Sequence, residues 1–335
     1  MTKLLKLFSL ICFIAVVTPS FAQLSVGNGN SALTPQQLEL VKNSDLYLVI
    51  PNSQYYLTDK YTSLLNEIWT YGKVHVITHS DSSILETKKN ISVAKIISNA
   101  EERTFYYTSS TIKGSAPVDR ARKVIIYTLD LNFRYYNDFK PHKDDFTFAN
   151  MKILAKYTKE LYECKDNPSF KYYIDKKAKL KNFTPNFIGL TIKMINYNLS
   201  AHKVLNRQTQ ENIINTSELP HLKTDTLYTT DELLIQYNPY IYKDKKRSEK
   251  SAFKKYQYQY ILKDYDTIDK LLNNKNIKYI MYPVTNDDIW MEVCLMIVNV
   301  ETGEIIYSKK ARNNDFGDRI GKRELKKLSK AIDKS

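Results

Sequence analysis

Glycine is scarce in this chain, with 8 residues among 335, and proline is modest at 10. So few glycines argue against phosphate-binding loops, and neither Gly-x-Gly-x-x-Gly nor Gly-Lys-Ser/Thr occurs. Histidine (5) and cysteine (3) are also rare, with no His-Glu-x-x-His and no closely spaced cysteine pair. The proportions of hydrophobic (43%) and charged (26%) residues disfavour disorder, collagen and coiled coil. We therefore predict a globular protein without a cofactor or a metal ion.

Long apolar runs are lacking except at the amino terminus. There Lys3 and Lys6 precede the apolar run Leu7–Val17, and Ser20–Ala22 places small residues before Gln23. This pattern predicts a secretory signal peptide cleaved before Gln23, because the run is shorter than the roughly 20 residues that span a bilayer. We expect export to the periplasm or the extracellular space, and no membrane span after cleavage.

Two cysteines, Cys164 and Cys294, remain once the predicted signal peptide has removed Cys12. An exported protein can join them in a disulfide, and they are equally well explained as two buried thiols. Both possibilities stay open.

Hydrophobic periodicity predicts two modules with the same β-α-β-α-β-β order. The first comprises strands at Asp45–Pro51, Lys73–Thr78, Thr104–Ile112 and Lys123–Asn132, and helices at Thr58–Trp69 and Ser82–Lys89. The second comprises strands at Leu227–Tyr237, Tyr256–Lys263, Ile277–Val284, Ile289–Val300 and Glu304–Lys310, one strand more than this order, and helices at Arg247–Lys255 and Asp266–Asn274, followed by an added helix with Leu325, Leu328 and Ile332 inward. The turn Glu301–Gly303 predicts a hairpin.

Between these modules the pattern predicts helices. Thr147 is a candidate N-cap for one helix, and Thr184 followed by Pro185 begins another. The predicted fold class is α/β or α+β, with two mixed-sheet modules around a helical middle. The predicted division is a signal peptide (1–22), a linker (23–44), a first module (45–140), a helical middle (141–222) and a second module (223–335).

The repeated order suggests an internal duplication. Val76–Ile84 and Tyr260–Ile268 occupy equivalent places, each running from a strand into a helix cap. Because few residues are identical, this hypothesis depends on the order of elements more than on sequence.

The segment Asn276–Lys310, with the turn Val300–Glu304 of sequence Val-Glu-Thr-Gly-Glu, resembles the end of a small bacterial envelope module. It is similar to the TolB N-terminal domain, the periplasmic domain of the curli secretion channel, and lipoprotein activators of cell-wall synthases. The whole chain also resembles tyrosine- and lysine-rich exported proteins of Bacteroidetes. These resemblances imply an envelope-associated, non-catalytic module, and they assign no functional residue.

Catalytic patterns are weak in this sequence. No Gly-x-Ser-x-Gly occurs, and the adjacent carboxylates Asp287 and Asp288 are typical of a turn. His75, His79 and Asp81 can gather around an ion, but two surface histidines explain them as well. We therefore favour a protein that is not an enzyme and assign no catalytic residue.

Basic segments alternating with tyrosines are the remaining candidate for a binding surface, in a chain of formal charge +14. Lysine attracts polyanions and tyrosine stacks on sugars, although a solvated basic surface and a half-buried tyrosine strand explain the same pattern. We expect Tyr256, Tyr258 and Tyr260 to share one strand face. The candidate residues are Lys176, Lys177, Lys179, Lys245, Lys246, Arg247, Lys254, Lys255, Tyr256, Tyr258 and Tyr260.

The predicted function is non-enzymatic binding or scaffolding in a bacterial envelope. The expected partner is an envelope protein or an anionic glycan, and nucleic acid is not expected after export. One alternative is an exported hydrolase whose site assembles only in the fold. Another is a binder of anionic glycan or lipopolysaccharide through the basic patches.

Overall fold

The structure is a computed structural model. It describes residues 24–27, 31–109, 118–139, 142–153, 180–205, 209, 212–238, 243–285, 293–310 and 321–335. Within strands, only the backbone is described at 98–109, 118–128, 236–238, 243–245, 282–285, 293–294 and 310. The signal-peptide prediction, Cys164 and the pair Asp287–Asp288 lie outside these residues.

The first part of the described chain forms a six-stranded mixed sheet with three α-helices. Its strands are β1 (Leu24–Val26), β2 (Asp45–Ile50), β3 (Val74–Thr78), β4 (Lys89–Ser109), β5 (Val118–Asp138) and β6 (Phe146–Lys152). Its helices are α1 (Pro35–Lys42), α2 (Thr58–Ile68) and α3 (Pro185–Ser200), with 3-10 helices at Asn52–Leu57 and His79–Thr87. The sheet order is β3-β2-β4-β5-β6-β1, and β2 is parallel to both of its neighbours while the other pairs are antiparallel.

The second part forms another six-stranded mixed sheet. Its six strands are β7 (Asn212–Ile214), β8 (Leu227–Thr230), β11 (Tyr260–Lys263), β12 (Tyr279–Thr285), β13 (Val293–Asn299) and β14 (Ile305–Lys310). Two further strands, β9 (Ile235–Asn238) and β10 (Lys243–Lys246), pair with each other in a separate two-stranded sheet. Its helices are α4 (Glu249–Phe253), α5 (Tyr265–Asn273) and α6 (Lys322–Lys334), with 3-10 helices at Leu219–Lys223 and Asp231–Leu234. The sheet order is β11-β8-β12-β13-β14-β7, with β8 parallel to both neighbours and the rest antiparallel.

The two sheets have the same topology, position by position. In each, an early short strand pairs with the last strand, and a parallel trio is followed by an antiparallel hairpin. The helices correspond as well. Helices α1, α2 and α3 contribute buried residues to the core of the first sheet. The 3-10 helix Leu219–Lys223 and helices α4 and α6 contribute in the same order to the core of the second sheet. The predicted fold class is confirmed, and the shared topology is what an internal duplication would produce.

Helix α3 lies between the two sheets. Of its 16 residues, 12 are buried, and seven of these share one continuous core with residues of α5 and of strands β12 to β14. Lys193, Asn196 and Tyr197 are half-buried and only Ser200 of this helix is exposed, so neighbouring elements cover most of its surface. By contrast, the corresponding helix α6 has 5 buried residues among 13, because its outer side is basic. The predicted intermodule helix is therefore present, and its cap is as expected, with Thr184 accepting a hydrogen bond from the Phe187 amide.

Three local predictions are wrong. The helix expected from Thr147 is replaced at Phe146–Lys152 by strand β6, because β5 and β1 on either side satisfy its backbone hydrogen bonds. The strand expected at Thr104 begins instead at Lys89, where it pairs with β5. The strand expected over Leu227–Tyr237 is interrupted by the 3-10 helix Asp231–Leu234.

The β4–β5 hairpin extends beyond the sheet. Both strands have 21 residues, yet β2 pairs with β4 only as far as Lys95, and β6 pairs with β5 only over Asp130–Tyr135. The outer part of this hairpin is therefore a two-stranded ribbon within the described chain, and its two outer backbone edges have no neighbouring strand there.

Buried tyrosines predict that the fold is lost in alkali. Burial raises the pKa of Tyr61, Tyr256, Tyr265 and Tyr307 above the usual value of about 10. A raised folded-state pKa stabilises the fold below the unfolded pKa, and that stabilisation is lost as pH rises toward the folded pKa. The contribution of these tyrosines to stability should therefore be constant up to about pH 10 and fall above it. Absorbance at 295 nm, recorded with circular dichroism, should show one class of tyrosines ionising only with unfolding; ionisation of every tyrosine in an intact fold would contradict this.

Candidate functional site

The basic residues singled out in the sequence are only partly described. Lys176, Lys177 and Lys179 lie outside the described residues, and for Lys245 the backbone alone is described, in β10. Lys246 pairs with Asp231 (Nζ–Oδ2 2.9 Å), and this hydrogen bond raises the pKa of Lys246. Lys246 is therefore already paired with a carboxylate in the connection between β8 and β9.

The three tyrosines do not share one strand face, so that prediction is wrong. Strand β11 begins only at Tyr260, whose ring stacks on Phe253 with 4.1 Å between ring centroids. Tyr256 is buried against both Tyr258 and Tyr260, and the Tyr258 hydroxyl donates to Asp333 of α6. Tyr258 therefore attaches α6 to the second module, while Tyr256 and Tyr260 pack against Phe253 of α4.

Helix α6 packs beside α4 and the residues that follow it. The Ser329 hydroxyl donates to the Lys255 carbonyl oxygen (3.1 Å), and the Gln257 amide donates to Asp333 (3.0 Å). The apolar side of α6, at Leu325, Leu328 and Ile332, is fully buried in the second core. These contacts bring together two basic segments that are about 70 residues apart in the sequence.

The resulting surface, which we call the basic face, lies on the exposed sides of α4 and α6. It consists of Lys250, Lys254, Lys255, Lys322, Arg323, Lys326, Lys330 and Lys334, all exposed. Lys322, Lys326, Lys330 and Lys334 recur every four residues, so they form one stripe about 6 Å apart along the helix axis. Among the described residues, no carboxylate forms an ion pair with any of the eight.

The acidic residues of α6 are occupied by local contacts. Glu324 is buried and accepts a hydrogen bond from the Gly321 amide (3.1 Å), which closes the start of the helix. Asp333 is bonded to Gln257 and Tyr258. The helix therefore presents positive charge on its outer side without neutralising partners from its own acidic residues.

A second feature, which sequence reasoning missed, is a cleft of about 760 Å³ bounded by α2, α3, α5 and the β13–β14 turn. Its charged residues are Lys60, Lys193, Lys275 and Lys278 together with Glu67 and Glu301. The one available signal was Lys193, a single charged residue within the apolar run Phe187–Ile195. The cleft itself arises only when the two modules meet.

Within the described chain, no three His, Cys, Asp or Glu side chains gather where a metal ion could bind. His75 does not meet Asp81 but bonds to Asp45 (Nε2–Oδ2 2.8 Å), while Asp81 accepts from Thr78. Partial burial raises the pKa of Asp45, but hydrogen bonds from His75 and the Lys73 amide outweigh it and lower that pKa. Both side chains of the His75–Asp45 pair are about 40% exposed, as in an ordinary surface pair.

No helix in the described part of the chain has the length and apolar character of a membrane span. No protein-family model matches the chain, and comparisons with curated proteins and with solved structures find no match.

Proposed function

We propose that this is a non-enzymatic, exported protein of a bacterial envelope that binds an anionic glycan through its basic face. The observation that carries this proposal is the meeting of two basic segments on adjacent helices, with the acidic residues of α6 occupied elsewhere. Export to the periplasm or extracellular space and the likeness to TolB-type envelope modules belong to the same proposal.

The chemistry of the basic face suits an extended polyanion better than a small ion. Lysine ammonium groups are flexible point charges, so they can follow a chain of phosphate, sulfate or carboxylate groups without a fixed geometry. Each contact releases a condensed counterion, and affinity therefore falls steeply with salt. Tyr258 is bonded to Asp333 of α6 and Tyr260 is stacked on Phe253 of α4, so the proposed binding depends on the lysines.

The proposal is tested by removing three charges from the stripe. The triple variant Lys322→Gln, Lys326→Gln, Lys330→Gln should bind a fluorescent heparin fragment about 10-fold or more weakly, with a salt slope shallower by about 2 to 3. Fluorescence anisotropy across a salt series measures both quantities. Purified lipopolysaccharide should show the same loss if its phosphates are the natural target.

A charge-matched control separates the stripe from net charge. Lys89, Lys143 and Lys270 are also exposed and lie outside the basic face. Their triple replacement by Gln should weaken heparin binding by no more than about 3-fold, because dispersed charges act only through the long-range field. Equal weakening in both triple variants would contradict a specific basic face.

A protein partner in the envelope is the second candidate. The observation favouring it is the outer β4–β5 ribbon, whose backbone edges have no neighbouring strand in the described chain. Exposed strand edges are templates for pairing with another chain. Crosslinking from the ribbon to one defined envelope protein would favour this function over glycan binding.

A further inference from the structure

The cleft between the modules has an apolar floor. Gly189 and Leu190 of α3, Leu272 of α5 and the following Ile277 line it and are buried. A Cβ at Gly189 would lie 3.0 Å from Ile68 Cδ1 and 3.3 Å from Leu64 Cδ2, so glycine gives these two side chains room at the floor of the cleft. Leu64, Ile68 and Val300 are half-buried and extend the apolar lining up the walls. The volume of about 760 Å³ lies within the usual range for small-molecule sites.

The charged groups of the cleft are not balanced. Lys193 is half-buried, and its Nζ donates one hydrogen bond, to the Val300 carbonyl oxygen (3.0 Å). Burial lowers the pKa of Lys193 and so does nearby Lys275, while Glu301 opposes both effects. Lys278 is engaged by Asp225 (2.8 Å). Within the described chain, Lys60, Lys193 and Lys275 form no ion pair.

Lys193 places an ammonium group beside the apolar floor of the cleft, and the exposed Lys60 and Lys275 add two further positive charges. This arrangement is complementary to a ligand in which a negative group is joined to an apolar body. An anion would supply acceptors for the remaining Lys193 donors and reduce the repulsion between Lys193 and Lys275. The apolar body would remove the exposed parts of Leu64, Ile68 and Val300 from water. A fully polar anion would leave these apolar side chains exposed to water.

We infer that this cleft binds an amphipathic anion, namely an alkyl chain with a carboxylate or phosphate head group. The head group contacts Lys193 and Lys275, and the chain lies on Leu190, Leu272 and Ile277. Such a ligand touches α2 of the first module and α5 of the second, so it links the two. The cleft and the basic face share no residue, and this inference does not depend on glycan binding.

The test is calorimetric titration of the full chain with decanoate, decyl phosphate, butyrate and inorganic phosphate. The two decyl compounds should bind saturably, and decanoate at least about 10-fold more tightly than butyrate, because each buried methylene adds to affinity. The preference between decanoate and decyl phosphate distinguishes a free fatty acid from a phosphate-bearing lipid. Failure of both decyl compounds to bind, or equal affinity for decanoate and butyrate, would overturn the inference.

Variants identify the site. Lys193→Met keeps the apolar stem and removes the charge, and it should weaken binding of the tighter decyl compound about 5-fold or more. Since Lys193 is half-buried, the exposed Lys275→Met, which leaves the core untouched, provides a second test with the same expected direction. Lys143→Met, exposed and outside both the cleft and the basic face, is the control and should leave this affinity unchanged. Wild-type affinity in both cleft variants would place the ligand elsewhere and overturn the assignment.

Discussion

Replacing Gly303 with alanine should lower the free energy of unfolding by about 3 kcal/mol, one of the largest effects expected for a single methyl group in this chain. Gly303 lies in the β13–β14 turn with a φ of +78°, which L-residues adopt at a cost. An added Cβ would also lie 2.4 Å from the Lys193 carbonyl carbon and 2.7 Å from the Met194 amide nitrogen. Because both are backbone atoms of α3, the turn must move away from the helix.

Urea unfolding followed by circular dichroism measures this change. Glu301→Ala, in the same turn but exposed, is the matched control and should stay within about 0.5 kcal/mol of the wild type. A Gly303→Ala protein as stable as the control would mean that the turn does not rest on α3. The same variant should also weaken ligand binding in the cleft, since Val300 and Glu301 belong to this turn.

Replacing Phe187 with alanine should cost about 3–5 kcal/mol and destabilise both modules together. Phe187 is fully buried in α3, and its ring lies 5.2 Å from that of Tyr265 in the second module. Next to it, the Thr184 hydroxyl donates to Asp269 and the Asn186 amide donates to the Asp269 carbonyl oxygen (3.1 Å). Truncation therefore leaves a cavity where the two modules share a core.

Differential scanning calorimetry distinguishes joint from separate unfolding. The wild type should unfold in one transition, and Phe187→Ala should lower the midpoint of that transition while keeping it single. Ser200→Ala, on an exposed position at the end of α3, should leave the midpoint nearly unchanged. A wild-type midpoint in the Phe187 variant would show that α3 does not hold the modules together.

Several elements could be predicted from the sequence because they depend only on neighbouring residues. Thr184 and Pro185 begin α3 as expected, and Asp264 caps α5 by accepting from the Thr267 amide. The Glu301–Gly303 turn joins β13 to β14 as predicted. Caps and turns depend on a few neighbouring residues, so their residue types indicate them directly.

Other elements depend on partners that are distant in the sequence. Phe146–Lys152 carries a pattern compatible with a helix, and strand pairing on both sides decides that it is β6. The tyrosines near Tyr256 suggest an alternating strand, yet the position of α6 decides that they are buried contacts. Strand pairing and helix docking are long-range interactions, and they override local propensity.

The fold class and the basic character of the two segments at α4 and α6 could be predicted from the amino-acid sequence alone. Those features follow from hydrophobic periodicity and from charge, which are properties of short stretches. The meeting of the two basic segments on one face, and the cleft bordered by Lys193 and Lys275, depend on tertiary packing. Both sites join residues from separate elements, and their distances are set by how α3 and α6 pack against the sheets.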